Sequence, residues 1–206
     1  MRRELVIALR LTIVSLILTG IIYPLAITGA AQALFSAKAN GSLVYDQKGA
    51  VVGSRLIGQT FATAAYLQGR PSAAGNGYDA TASSGSNLGP TSKKLQDRVV
   101  ADIARLRREN PEAAAPIPND LVTTSASGLD PEVSPAAALW QVPRIARARG
   151  VAAERIQAVI DSRIEGRDLG VLGEPRVNVL AVNIALDQKF GQPTGTTAPS
   201  APAAAR

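Results

Sequence analysis

The sequence predicts one membrane-spanning helix followed by a single mixed α/β domain, with α+β as the nearest variant. Three observations predict it. No charged residue occurs from Leu11 to Ala37. Beyond that run, helical periodicity returns in separate stretches between Gly- and Pro-rich breaks, and a β-branched apolar run stands near the end. The 206 residues leave room for one domain of ordinary size after the span. The organisation expected is residues 1–10 on the cytoplasmic side, a transmembrane helix over 11–35, an extracytoplasmic domain over 36–190, and a disordered tail over 191–206, where Pro, Thr and Ala dominate.

The uncharged run is 27 residues long. As a helix it covers about 40 Å, more than the roughly 30 Å hydrocarbon core of a bilayer. Arg2, Arg3 and Arg10 precede it closely, which places the N-terminus in the cytoplasm and the rest of the chain outside. The alternative is a cleaved leader. Ala31-Gln32-Ala33 has the small-x-small form of a cleavage site, and cutting there would release a free extracytoplasmic binding domain. The apolar stretch exceeds the usual length of such leaders, which favours the anchor. Thr12, Ser15, Thr19, Tyr23, Ala26 and Ala30 follow steps of three and four, so an α-helix places them on one face. Small and hydroxyl side chains on one face admit a partner helix at close range. The plainer alternative is that the hydroxyls bond back to their own helix. Pro24 predicts a kink, since it has no N–H and its ring presses on the carbonyl of Gly20.

Val51 to Ile57 reads as a short strand closed by Gly58, and the Gly-, Ser- and Asn-rich stretch from Ala62 to Pro90 as loop. Thr91 to Asn110 reads as a helix with the apolar stripe Leu95, Val99, Ile103 and Leu106, a charged face of Arg98, Asp102 and Arg105, and a stop at Pro111. Pro116 to Asp120 is a turn, and Leu121 to Thr124 is expected as a short strand. Ser134-Pro135 starts a helix that runs to Arg149, bends at Pro143 and ends at Gly150. A further helix is expected from Ala152 to Ile164, with Ile156, Val159 and Ile160 on one side. Val177 to Leu186 is expected as the central strand of a sheet, because both of its faces are apolar.

Composition excludes much chemistry. There is no Cys and no His, so thiolate chemistry, Ser-His and Cys-His dyads and the commonest metal ligand are all absent. No phosphate-binding GxxxxGK[ST] or GxGxxG pattern occurs, and no GxSxG nucleophile elbow. A hydrolase built on Lys93 or Lys94 and a Ser lacks any supporting pattern. The net charge is +6, but basic and acidic residues interleave, and no basic stripe points to nucleic acid. Asn40-Gly41-Ser42 matches a three-residue glycosylation acceptor. The segment Ser83-Ser84-Gly85-Ser86-Asn87 is the most unusual. Its small residues can turn backbone N–H groups toward an anion, or simply form a tight docking loop.

Five segments in order carry a resemblance: GSRLIGQTF (Gly53 to Phe61), GRPSAAG (Gly69 to Gly75), SSGSNLGPTS (Ser83 to Ser92), SASGLDPEVSPAAALWQVPRIARARG (Ser125 to Gly150) and GEPRVNVLAVNIALD (Gly173 to Asp187). Together with the span they resemble the C subunit of the Kdp potassium-transporting ATPase of bacteria and archaea. Ser84 stands where that family more often has Gly, and Glu132 where it often has His. The resemblance implies a non-catalytic accessory subunit in the cell (inner) membrane. It implies two protein partners, a channel-like potassium-binding subunit and a P-type ATPase subunit, and a role in stabilising their assembly. It implies no cofactor of the chain's own. It also implies a catalytic-chaperone role in which ATP affinity is raised and Ser83, Ser84, Gly85, Ser86 and Asn87 bind nucleotide. The topology sets that loop on the opposite side from cytoplasmic ATP, which favours assembly and allosteric support over direct contact. Asp46-Gln47-Lys48-Gly49 has a superficial likeness to the phosphorylated DKTG sequence of P-type pumps, but it lacks the Thr and reads as a turn.

Overall fold

The computed structural model describes residues 1–46 and 48–193, in two compact units that divide between Leu43 and Val44. Most of the tail expected over 191–206 lies outside the described residues.

The first unit is one helix, Arg2–Ala39, long and apolar enough to cross a membrane and with none of its apolar window buried. It comprises α1 (Arg2–Ile17), a π turn (Leu18–Ile22) and α2 (Tyr23–Ala39). The disturbance expected at Pro24 takes the form of this π turn. Pro24 cannot donate to Gly20, and just before it the Tyr23 N–H reaches back five residues to the Leu18 carbonyl. Phe35, at φ −139° and ψ 40°, interrupts the helix a second time. The helix closes where the Asn40 side-chain amide donates to the Ser36 carbonyl (2.8 Å) and the Ser42 N–H to that of Ala37 (2.9 Å). Asn40-Gly41-Ser42 is therefore a helix-ending turn.

The second unit opens on a pair of strands, β1 (Leu43–Tyr45) and β2 (Val51–Ser54). The turn between them is held by the Asp46 carboxylate, which accepts from the Lys48 and Ala50 N–H groups, both at 2.8 Å. Asp46 here is a turn residue, as the sequence reading holds. A second sheet is antiparallel, with β3 (Glu132–Val133), β4 (Ile164–Glu165) and β5 (Arg176–Asn178) in the order β3-β5-β4. Val177 in the centre pairs with Val133 on one side and Ile164 on the other. Helices α3 (Lys93–Glu109), α4 (Pro135–Trp140), α5 (Val142–Arg149), α6 (Ala153–Asp161) and α7 (Val179–Phe190) complete the unit. Leu67, Ile145, Ile156, Ile160, Val177, Val182 and Leu186 are the fully buried aliphatic centre. One apolar helix followed by a mixed helix-and-strand domain is the predicted class.

Several elements differ from expectation. The run Val177 to Leu186 is a strand only as far as Asn178 and then becomes α7. Asn178 caps that helix, its Oδ1 accepting from the Ala181 N–H at 3.0 Å. The helix is buried on most sides, so its all-round apolar character resembles that of a central strand. No strand forms over Leu121 to Thr124. Asn119–Leu121 is instead a single 3₁₀ turn, and Thr123 Oγ1 bonds back to the Asn119 carbonyl (2.8 Å). The helix from Ser134 breaks into α4 and α5 at Gln141, because Pro143 has no N–H to give the Leu139 carbonyl. The helix expected to reach Ile164 stops at Asp161, and Ile164 joins the sheet.

The core also contains an extended segment that no strand pairs. Leu67 is fully buried, and its backbone is satisfied by one side chain: Asn183 Oδ1 accepts from its N–H (2.8 Å) and Asn183 Nδ2 donates to its carbonyl (2.9 Å). Gln141 repeats this arrangement on Gln68, at 2.9 and 3.0 Å. Arg144 donates to the carbonyls of Ala64 (2.7 Å) and Tyr66 (3.0 Å) and to Gln141 Oε1 (2.7 Å). Arg149 donates to the Ala65 carbonyl (2.7 Å) and pairs with Asp187 (2.8 Å), which also accepts from the Tyr66 hydroxyl (2.8 Å). Side chains of α5, α7 and the α4–α5 junction thus take the place of a neighbouring strand.

Candidate functional site

The Gly/Ser-rich loop lies against the segment Thr124–Gly128. The Ser84 N–H (2.9 Å) and the Ser83 hydroxyl (3.0 Å) both donate to the Ser127 carbonyl, and the Thr124 hydroxyl donates to the Ser86 hydroxyl (3.2 Å). Ser84 Oγ turns onto the Gly85 carbonyl (3.0 Å), and Asn87 takes a left-handed φ of 51°. Ser83, Ser84 and Asn87 remain exposed. The close approach depends on Gly128. At its φ of +67°, a Cβ would sit 2.5 Å from the Ser84 carbonyl and 2.7 Å from the Ala74 nitrogen. Gly128→Ala is therefore expected to push the loop off and cost about 2–4 kcal/mol from left-handed strain plus overpacking, read as a fall in the thermal midpoint of the full chain in detergent.

Beside this contact runs an open groove of about 630 Å³, lined in part by Leu56, Ile57, Arg70, Ser127 and Asp130. Arg70 pairs with Asp130 at 3.2 Å and also donates to Thr123. Among the described residues it is the only basic one on the groove wall, and its charge is already matched. Tyr78 organises the floor behind. Its N–H donates to Ser72 Oγ (2.7 Å) and its hydroxyl to the Arg70 carbonyl (2.6 Å). The GRPSAAG segment and Thr124–Gly128 are joined through Ser72, which also donates to the Gly128 carbonyl (2.6 Å). Glu132 has a structural use here: it pairs with Arg176 at 3.2 Å, while burial pushes its carboxyl above the usual range against the pull of that arginine.

Burial pushes the phenols of Tyr66 and Tyr78 up to about 12, with Asp187 adding to the first and Asp130 to the second. The folded chain keeps these protons where the unfolded chain, at about 10, gives them up. Their contribution is fully present below pH ~10 and is lost as the pH rises through the folded value. The urea midpoint is expected to fall between pH 10 and 12, and less so in a Tyr66→Phe/Tyr78→Phe variant measured from its own pH 9 baseline.

The residues proposed for helix contact lie in the other unit. Thr12 and Ser15 are in α1, Thr19 is in the π turn, and Tyr23, Ala26 and Ala30 are in α2, all exposed. The Thr12 and Thr19 hydroxyls donate to the carbonyls of Ala8 (2.9 Å) and Ser15 (2.7 Å), so both are satisfied within the helix. Sequence reasoning missed Arg70, Tyr78, Gln141, Arg144 and Asn183. Each is a polar residue whose importance comes from a partner outside its own turn of chain, and the GRPSAAG, Ser125–Gly150 and Gly173–Asp187 segments marked their neighbourhoods without singling out the residues themselves. Among the described residues no group of three or more His, Cys, Asp and Glu could hold a metal ion.

A sequence profile described as "K+-transporting ATPase, c chain" matches residues 5–188. The chain is 65% identical over 184 residues to a Myxococcus xanthus protein named potassium-transporting ATPase KdpC subunit, covering 89% of this chain and 87% of that one. A protein of the same name from Caulobacter sp. (strain K31) is 59% identical over 84% of this chain and 88% of its own. One from Koribacter versatilis is 51% identical over 94% and 99%.

Proposed function

The chain belongs to the family of the K+-transporting ATPase c chain, and from that premise we infer that it clamps together the channel-like potassium-binding subunit and the P-type ATPase subunit of a Kdp complex. It is an accessory subunit of that ATPase and not the catalytic one. One observation carries the assembly reading. The chain presents a 38-residue helix, long and apolar enough to cross a membrane and with none of its apolar window buried among the described residues, joined to a domain in which side chains such as Asn183 and Arg144 are spent on holding its own backbone. A helix of that kind is satisfied by lipid and by other helices. The family match begins at residue 5, so the apolar helix is part of what relatives share.

Arg2, Arg3 and Arg10 support a cytoplasmic N-terminus and an extracytoplasmic domain. On that topology a rise in the pump subunit's ATP affinity passes through the membrane helices as a coupling between two states. The nucleotide reading of Ser83–Asn87 is the weaker one, because the loop is committed to Ser127 and Thr124 and the groove cation to Asp130.

The test is to tag the chain and purify from membranes in mild detergent. Recovery with a P-type pump and a large channel-like subunit is expected, and recovery alone as a soluble protein lacking the helix would overturn the reading. Ser15→Leu/Thr19→Leu is expected to cut the co-purified yield several-fold by filling the close-approach face, and a normal yield would remove that face from the contact.

A further inference from the structure

We propose that the tip of the β4–β5 hairpin, Leu169, Val171 and Leu172, rests in the headgroup region of the bilayer that the chain's own helix crosses. The three side chains are 89%, 72% and 58% exposed. The tip is not a slack loop. Asp168 and Leu172 exchange both backbone hydrogen bonds at 2.9 Å, and the Gly170 N–H closes on the Arg167 carbonyl (3.1 Å). Arg167 pairs with Glu174 at 2.7 Å, and Arg176 reaches the Asp168 carboxylate at 3.4 Å. Leu169 is held at φ +53°, a conformation that a leucine adopts only when its surroundings impose it. A braced turn that spends strain to present three aliphatic side chains is built for an apolar medium.

Chain length says which medium. Only Asn40–Ser42 separate α2 from β1, and four peptide steps from Ala39 to Leu43 span at most about 14 Å. β1 pairs with β2, and the residue after β2, Arg55, is tied to the hairpin's base. Its side chain pairs with Glu165 of β4 at 3.6 Å, and its carbonyl accepts from Asn178 of β5 at 3.0 Å. The hairpin therefore springs from the corner through which the chain enters the domain. A bilayer at that corner accepts convex aliphatic side chains with no matching pocket. Tethering raises their local concentration, so three suffice where an untethered loop would stay in water. Arg167, Asp168, Glu174 and Arg176 neutralise one another around the tip, so the contact needs no anionic lipid and is insensitive to salt.

The inference rests on the helix being a retained span, and the experiment separates the two. The chain has no Cys, so Leu172→Cys, and Val171→Cys as a second site, can each be labelled alone with a polarity-sensitive dye on the full chain in phosphatidylcholine vesicles. The expected result is blue-shifted emission and at least twofold quenching by spin-labelled lipid, both unchanged by salt, with neither effect at Asp97→Cys on α3. Water-like emission without quenching, from chain that floats with the vesicles, overturns this proposal alone. Chain that fails to float overturns the span and this proposal with it. A blue shift that needs the other subunits and shows no lipid quenching assigns the tip to a protein contact and overturns the lipid reading.

Discussion

Asn183→Ala is expected to lower the unfolding free energy by about 2–5 kcal/mol, since it strands two buried backbone groups at roughly 1–3 kcal/mol each. Asn183 is 2% exposed and stands in the middle of a buried helix, a position where an aliphatic residue would ordinarily pack. It is there because Leu67 needs both a donor and an acceptor, and the amide offers the two in the right spacing. Asn183→Asp keeps the shape but turns a second acceptor toward the Leu67 carbonyl, so its cost is expected to be at least as large. The single tryptophan, Trp140, is buried in the same core and reports unfolding by fluorescence during urea titration of the full chain in detergent. A loss below about 1 kcal/mol would mean that the segment is held by its apolar contacts instead.

Arg144→Leu is expected to cost about 3–5 kcal/mol in the same titration. The guanidinium is buried at 3% exposure, and no carboxylate pairs with it among the described residues. Its charge is met by the Ala64 and Tyr66 carbonyls and the Gln141 amide oxygen, and desolvation pushes its pKa down to about 10. Arg144→Lys is not a rescue, because one ammonium cannot reproduce the planar fork that spans acceptors two residues apart. Both substitutions release the same stretch, so combining Asn183→Ala with Arg144→Leu should cost less than the sum. Full additivity would mean that the two ends of the segment come loose independently.

Elements whose signals are local were legible in the sequence. The stripe on α3, the Ser134-Pro135 start and the Gly150 stop at φ 63° each depend on residues within one or two turns. The apolar helix was legible for the same reason. α7 was not, because Val177, Val179, Val182 and Ile184 favour a strand by side-chain shape, while burial on most sides removes the 3.6-residue rhythm. The local signal that could have found it is Asn178 as an N-cap. The candidate site was half legible. The loop around Ser83–Asn87 stood out by composition, but its partner Gly128 lies more than 40 residues away, and no local signal singled out its organiser Tyr78 or the groove residue Arg70. No periodicity marks a side chain that bonds to a backbone 40 or more residues distant, as Ser83 does to Ser127.

The π turn ahead of Pro24 shifts the phase of the membrane helix. One residue is gained between Leu18 and Ile22, which turns everything after it by up to about 100° relative to an unbroken α-helix. Residues four apart across that turn no longer share a bearing. A straight neighbour that follows Thr12 and Ser15 drifts away from Ala26 and Ala30, and one that follows the latter pair misses the former. The helix therefore has two compass headings, one on each side of the turn, and a single proline with its slack turn is what sets the angle between them.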